Sequence, residues 1–171
     1  PLARLVKLIV KPVIVADAGP LIALAKIEQL ALLTVLFKSV HIPAYVLHEA
    51  AGNMAMAGAA AVRAFADAHA TIHDDSVDPI VQTLCIEVDA GEAQAIALAQ
   101  SLHCGVLMDD LLGRGVAKRL SLPVIGVLGV LLQGKRPGHV AAIRPCVDAL
   151  TLARYRLSDA LVAEVLRLAN E

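Results

Sequence analysis

From residue 13 onward, short apolar runs alternate with longer stretches of helical spacing. Val13-Ile14-Val15-Ala16 is too short for a helix and is followed at once by Asp17 and the breakers Gly19 and Pro20, which predicts a buried strand with a carboxylate at its carboxyl end. Pro20 suits the first position of a helix over residues 20–30, and Leu32, Leu33 and Leu36 mark a second short one. A strand at residues 39–42 precedes Pro43, which opens the helix AYVLHEAAG, ending near Gly52-Asn53. Residues 54–68 are alanine-rich and helical by propensity, and 71–79 mix a short strand with a polar turn. Helices follow around 80–87 and 89–103, the second lined by Ala93, Ile96, Ala97 and Ala99. In residues 105–126, Val106-Leu107-Met108 reads as a strand, Leu112, Val116 and Leu120 recur every four residues, and Pro123 to Gly126 reads as a second buried strand. That is one β-α-β unit. Amphipathic helices at about 139–150 and 158–168 close the chain. Strands alternating with helices predict an α/β fold, a mostly parallel sheet covered on both faces.

Composition narrows the class. A chain of 171 residues with 58% apolar content fills one domain, with residues 1–11 set apart as an N-terminal extension. Mean hydropathy of +0.70 raises the question of a membrane span. The longest run without a charged residue, 93–108, is 16 residues and contains Gln94 and His103, so no transmembrane helix is expected. The start, PLARLVKLIVKPVIVA, has basic residues inside its apolar part and no signal-peptide layout. Cys85, Cys104 and Cys146, without a C-x-x-C pair, suit reduced, mostly buried thiols in a cytoplasm, and no zinc spacing is visible.

Net charge of −1 conceals an asymmetry. Residues 1–110 carry 6 Lys/Arg against 12 Asp/Glu, and residues 111–171 carry 9 against 4. Solvated helix faces can differ this way; a basic surface beside an acidic pocket is the alternative, and it is what phosphodiester chemistry needs. Arg114, Lys118 and Arg119 are the candidate phosphate contacts. Phe37, Tyr45, Phe65 and Tyr155 are too few for an extended base-stacking platform.

The candidate chemistry lies in the acids. Asp17 directly follows four buried apolar residues, a costly place for a charge unless it is paired or bound to metal. Glu49, two turns into its helix, is by itself an ordinary exposed glutamate. Asp89-Ala-Gly-Glu92 fits a capping box, which explains Glu92 without any ligand. One of Asp109 and Asp110 can cap the helix after them, but a cap does not need both, and adjacent carboxylates repel unless they share a cation. Ends of neighbouring parallel strands converge, so several such oxygens together make a site for Mg²⁺ or Mn²⁺ rather than Zn²⁺.

The ordered blocks DAGPLIALAKI (17–27), IPAYVLHEA (42–50), DAGEAQAIALA (89–99) and LMDDLLGRGVAKRLSLPVIGVLGVLLQGKRPG (107–138) resemble the PIN-domain proteins, in particular the VapC-like group of prokaryotic toxin–antitoxin type. The resemblance runs from Val13 to about Leu168. It implies a three-layer α/β/α sandwich that binds Mg²⁺ or Mn²⁺ and cleaves RNA, a homodimer, and a cognate antitoxin. Block by block it makes Asp17, Glu49, Glu92 and the Asp109-Asp110 pair the catalytic acids, with Asp17, Glu92, Asp110 and Asp109 as metal ligands and Asp110 favoured within the pair. Two departures stand out: Ala18-Gly19 replaces the usual early Ser or Thr, and Leu111 replaces a frequent basic residue, with Arg114 one turn on. A non-catalytic PIN-like module binding RNA or a protein is the alternative. A phospho-acceptor receiver domain fits poorly, since the first strand ends in a single Asp17 and Gly126 follows the late strand.

Overall fold

The structure, a computed structural model, describes residues 11–171. The proposed N-terminal extension, apart from Lys11, lies outside the described residues. Among the described residues five strands form one sheet: β1 (Val13–Ala16), β2 (Ser39–Pro43), β3 (Ala70–His73), β4 (Gly105–Leu107) and β5 (Val124–Ile125). Their order is β3-β2-β1-β4-β5, and every pairing is parallel. The expected mostly parallel sheet is therefore wholly parallel among the described residues. β1 is central, its Val15 and Ala16 fully buried, which is why it reads as a continuous apolar run rather than an alternating one.

The connections are helical: α1 (Ala18–Lys26) and α2 (Ala31–Leu36) after β1, α3 (Ala44–Ala51) and α4 (Ala59–His69) after β2, α5 (Pro79–Leu84) and α6 (Ala90–Ser101) after β3, and α7 (Leu111–Arg119) after β4. Helices α8 (Val127–Lys135), α9 (Arg144–Leu152) and α10 (Asp159–Leu168) follow β5. Right-handed crossovers put connections that run left along the sheet on one face and those that run right on the other. Accordingly α1 packs with α4 and α8, while α6 lies across β1, β2 and β4 flanked by α5 and α7. This is the three-layer α/β/α arrangement. Helix α6 is buried on almost every side, and its run of Ala93, Ala95, Ala97 and Ala99 lets neighbouring backbones approach. Its buried Gln94 exchanges two hydrogen bonds with the Ser76 backbone, which fixes the loop before α5.

Several boundaries differ from expectation for local reasons. Helix α1 starts at Ala18 with Asp17 as its N-cap residue, so Pro20 sits within the first turn rather than opening it. The alanine-rich stretch becomes helical only from Ala59, after Gly58 takes a left-handed conformation (φ 90°) against α1. Helix α9 begins at Arg144 rather than near 139, because the amides of Ile143 and Arg144 are taken by the Glu171 carboxylate, itself paired with Lys135. Of the three cysteines only Cys104 is buried. Cys85 is exposed and Cys146 intermediate, which corrects the expectation of mostly buried thiols.

Candidate functional site

Strand order reverses between β1 and β4, and in a doubly wound sheet the crevice outside the carboxyl ends of the strands at that reversal is where ligands bind. Ala16 pairs with Leu107, and the Asp17 amide continues the ladder to the Leu107 carbonyl at 3.0 Å. Asp17 and the Asp109-Asp110 turn thus leave the sheet side by side. Asp17 is 8% exposed, and its side chain does not cap its own helix. Burial raises its pKa to about 7, helped by the negative charges of Glu49, Asp89 and Asp110 and opposed in part by the nearby Ala18 amide.

Helix α6 brings its first turn to the same crevice. Asp89 and Glu92 form the expected capping box: Asp89 Oδ1 accepts the Glu92 amide at 2.8 Å, and Glu92 Oε2 accepts the Asp89 amide at a long 3.3 Å. Glu92 is nevertheless buried, and its pKa rises to about 7 through desolvation and then through Asp89, Asp110 and Asp17. The cap does not exhaust it. Two glycines make room for these acids. A Cβ on Gly113 would fall 2.5 Å from Met108 Sδ and 3.2 Å from Glu92 Cδ, and one on Gly91 would fall 2.6 Å from Glu49 Oε2. Glu49 comes from α3, whose N-terminus Pro43 sets at the end of β2; it is exposed, and desolvation and Asp89 raise its pKa.

The two adjacent aspartates diverge. Asp110 is the N-cap of α7, its Oδ1 accepting the amides of Leu112 (2.8 Å) and Gly113 (3.1 Å), and its charge acts on both Asp17 and Glu92. Asp109 turns instead toward α8: it accepts the Val127 amide at 3.1 Å and the Tyr155 hydroxyl at 2.7 Å. Capping and clustering therefore coincide in Asp110, whereas sequence reasoning divided them between the pair.

The basic candidates also separate. Arg114 Nη1 donates to the Met108 carbonyl at 2.8 Å, bracing the β4–α7 turn. Arg119 pairs with Glu87 on the surface at 2.6 Å, and Lys118 is exposed. Sequence reasoning missed two participants. Asp89 was read only as a cap, yet its charge acts on Asp17, Glu49 and Glu92. Tyr155 lies far along the chain, and no local signal marks it.

Asp17, Glu49, Asp89, Glu92 and Asp110 thus make one repelling group of carboxylates around the end of β1. Their donor set is all hard oxygen, which suits Mg²⁺ or Mn²⁺, and a cation would offset the desolvation and, after it, the repulsion that raise the pKa of Asp17 and Glu92 to about 7. Among the described residues no three His, Cys, Asp or Glu side chains are already arranged as a metal-binding set, so closing a coordination shell requires side-chain rotation. The chemistry of the residues fits such an ion. Among the described residues no helix is long and apolar enough to cross a membrane. No curated protein matches the chain. A PIN-domain family model matches residues 13–171. PIN domains are in general nucleases that act on nucleic acid and use divalent metal ions. The match spans all five strands and every acid in the crevice, and the chain belongs to the PIN-domain family.

Proposed function

We propose that this protein is a metal-dependent endoribonuclease, the toxin component of a toxin–antitoxin pair, folded as one domain. The observation that carries the reading is the group of acids at the β1/β4 switch point, with Asp17 and Glu92 buried at 8% and 7% exposure and no basic partner among the described residues. Structural carboxylates are rarely buried without pairing. Asp17, Glu92 and Asp110 are the residues that would hold Mg²⁺ or Mn²⁺. Asp109, also a candidate ligand from sequence, supports them by fixing the turn. When bound, the ion supplies Lewis-acid stabilisation of charge on phosphate and lowers the pKa of bound water.

The chain's own groups do the remaining work. Glu49, an exposed acid of the group, would accept a proton from the attacking water at Oε2, the oxygen beside Gly91. The water oxygen then bonds to phosphorus in line as the bond from phosphorus to the leaving ribose oxygen breaks. Lys118 holds a flanking phosphate. Arg119 can do so only by leaving Glu87, an exposed pair worth about 0–1 kcal/mol, and Arg114 only by releasing the Met108 carbonyl. A homodimer in the cytoplasm, held inactive by an antitoxin, completes the reading.

The test is cleavage of a labelled RNA in Mn²⁺ by wild type and Asp17→Asn, with EDTA as control. Wild type should cut only with the cation, and the variant should lose at least about a hundredfold in rate, a typical cost for one electrostatic catalytic group. Equal cleavage by both, contamination excluded, sinks the assignment. The second reading, a binding module without turnover, is favoured by Ala18-Gly19 standing where relatives of the VapC-like type carry a hydroxyl. It predicts RNA affinity that persists in EDTA with no cleavage in Mn²⁺.

A further inference from the structure

Tyr155 follows the end of α9, where its amide bonds the Leu150 carbonyl at 2.9 Å and Arg154 takes a left-handed conformation (φ 58°). That tight reversal sends a half-buried ring into the crevice between two strand-end turns. Its hydroxyl donates to Asp109 Oδ2 at 2.7 Å, and the same carboxylate accepts the Val127 amide at the start of α8. Arg114 braces the preceding Met108 carbonyl. On the other side the hydroxyl lies over the β1–α1 turn, 3.9 Å from where a Gly19 Cβ would sit. Burial and the charges of Asp109 and Asp17 push the phenol well above the ordinary tyrosine range, so it stays a donor. A tyrosine serving only the core would be served as well by its ring, and the hydroxyl would be indifferent. Here the hydroxyl is the bond between the C-terminal segment and the turn that presents Asp110.

We propose that Tyr155 is a positioning residue for divalent-cation binding: by holding Asp109 it fixes the 108–110 turn, and with it Asp110, at a set separation from Asp17. The inference rests on the metal-dependent reading above. Partners of this kind, one bond removed from the ligands, typically change metal affinity ten- to a hundredfold when lost.

The test is thermal unfolding of the full chain across a Mn²⁺ series for wild type, Tyr155→Phe and Asp109→Asn, with the cation-free melting temperature read in the same experiment. Phenylalanine keeps the ring and removes only the hydroxyl, and asparagine weakens the acceptor while leaving the hydroxyl in place. Both should need about ten times more Mn²⁺ to reach the same rise in melting temperature over their own cation-free value. An unchanged Mn²⁺ dependence in Tyr155→Phe, whatever happens in Asp109→Asn or to the cation-free melting temperature, makes the role of the hydroxyl purely structural and overturns the proposal alone. A wild type that Mn²⁺ does not stabilise overturns it together with the nuclease reading.

Discussion

Replacing Asp17 with asparagine keeps the side chain's shape and removes its charge, so it isolates what that charge costs the cation-free fold. The folded carboxyl holds its proton up to about pH 7, against a reference value of 3.8. That is roughly 3 pKa units, or at most about 4 kcal/mol at about 1.4 kcal/mol per unit. Because the folded pKa lies above the unfolded one, the folded state binds the extra proton. Stability from this group is therefore fully present below about pH 4 and is lost as pH rises through about 7. Asparagine does not titrate. Neighbouring acids share protons and relieve part of the cost, so the advantage of Asp17→Asn over wild type should grow by about 2 kcal/mol between pH 5 and pH 8. Urea unfolding in EDTA followed by far-ultraviolet circular dichroism measures it. Saturating Mn²⁺ should reverse the order at pH 8, since a hundredfold excess over Kd adds about 2.7 kcal/mol to wild type and little to the variant. An advantage that does not change with pH, or a variant less stable at pH 8 in EDTA, refutes the claim that this carboxylate is electrostatically strained.

Two further outcomes follow from local geometry. Gly113→Ala forces a methyl against Met108 Sδ and the Glu92 carboxylate and should cost about 1–3 kcal/mol, whereas Gly115→Ala in the same helix meets nothing within 4 Å and should gain about 0.5–1 kcal/mol; urea midpoints of the pair separate crowding from helix propensity. Glu171, whose carboxyl the Ile143 amide, Lys135 and the Arg144 amide hold down at about 2, contributes stability above the ordinary glutamate range that is lost as pH falls toward 2. Glu171→Gln should therefore lower the melting temperature at pH 7 and matter least near pH 2, as a melting series against pH would read.

Much of this was legible because the central strands of a parallel sheet are buried on both faces. Val13 to Ala16 and Val106 to Met108 stand out as apolar runs, and any acid directly after them is conspicuous. Alternation of strands and helices made the parallel sheet legible, and with it the expectation that acids at neighbouring strand ends meet, whereas the order that sets Asp17 beside the Asp109-Asp110 turn came from the structure. What local pattern could not decide was direction. Asp109 and Asp110 are equivalent on paper, and a helix N-terminus supplied by distant Val127 and a hydroxyl supplied by Tyr155 divide them. The same limit hid Asp89: a capping box explains its hydrogen bond but not where its remaining charge falls. The start of α9 depends likewise on Glu171, a partner from the far end of the chain.

The proposed nuclease stands or falls with a cation among Asp17, Glu92 and Asp110. Anomalous diffraction from crystals soaked in Mn²⁺ tests it most directly. One or two peaks are expected in that crevice, within ligand distance of Asp17 and Asp110, and they should vanish in Asp17→Asn. Peaks only at Asp109 or elsewhere on the surface, or none in the crevice at millimolar Mn²⁺, would contradict it.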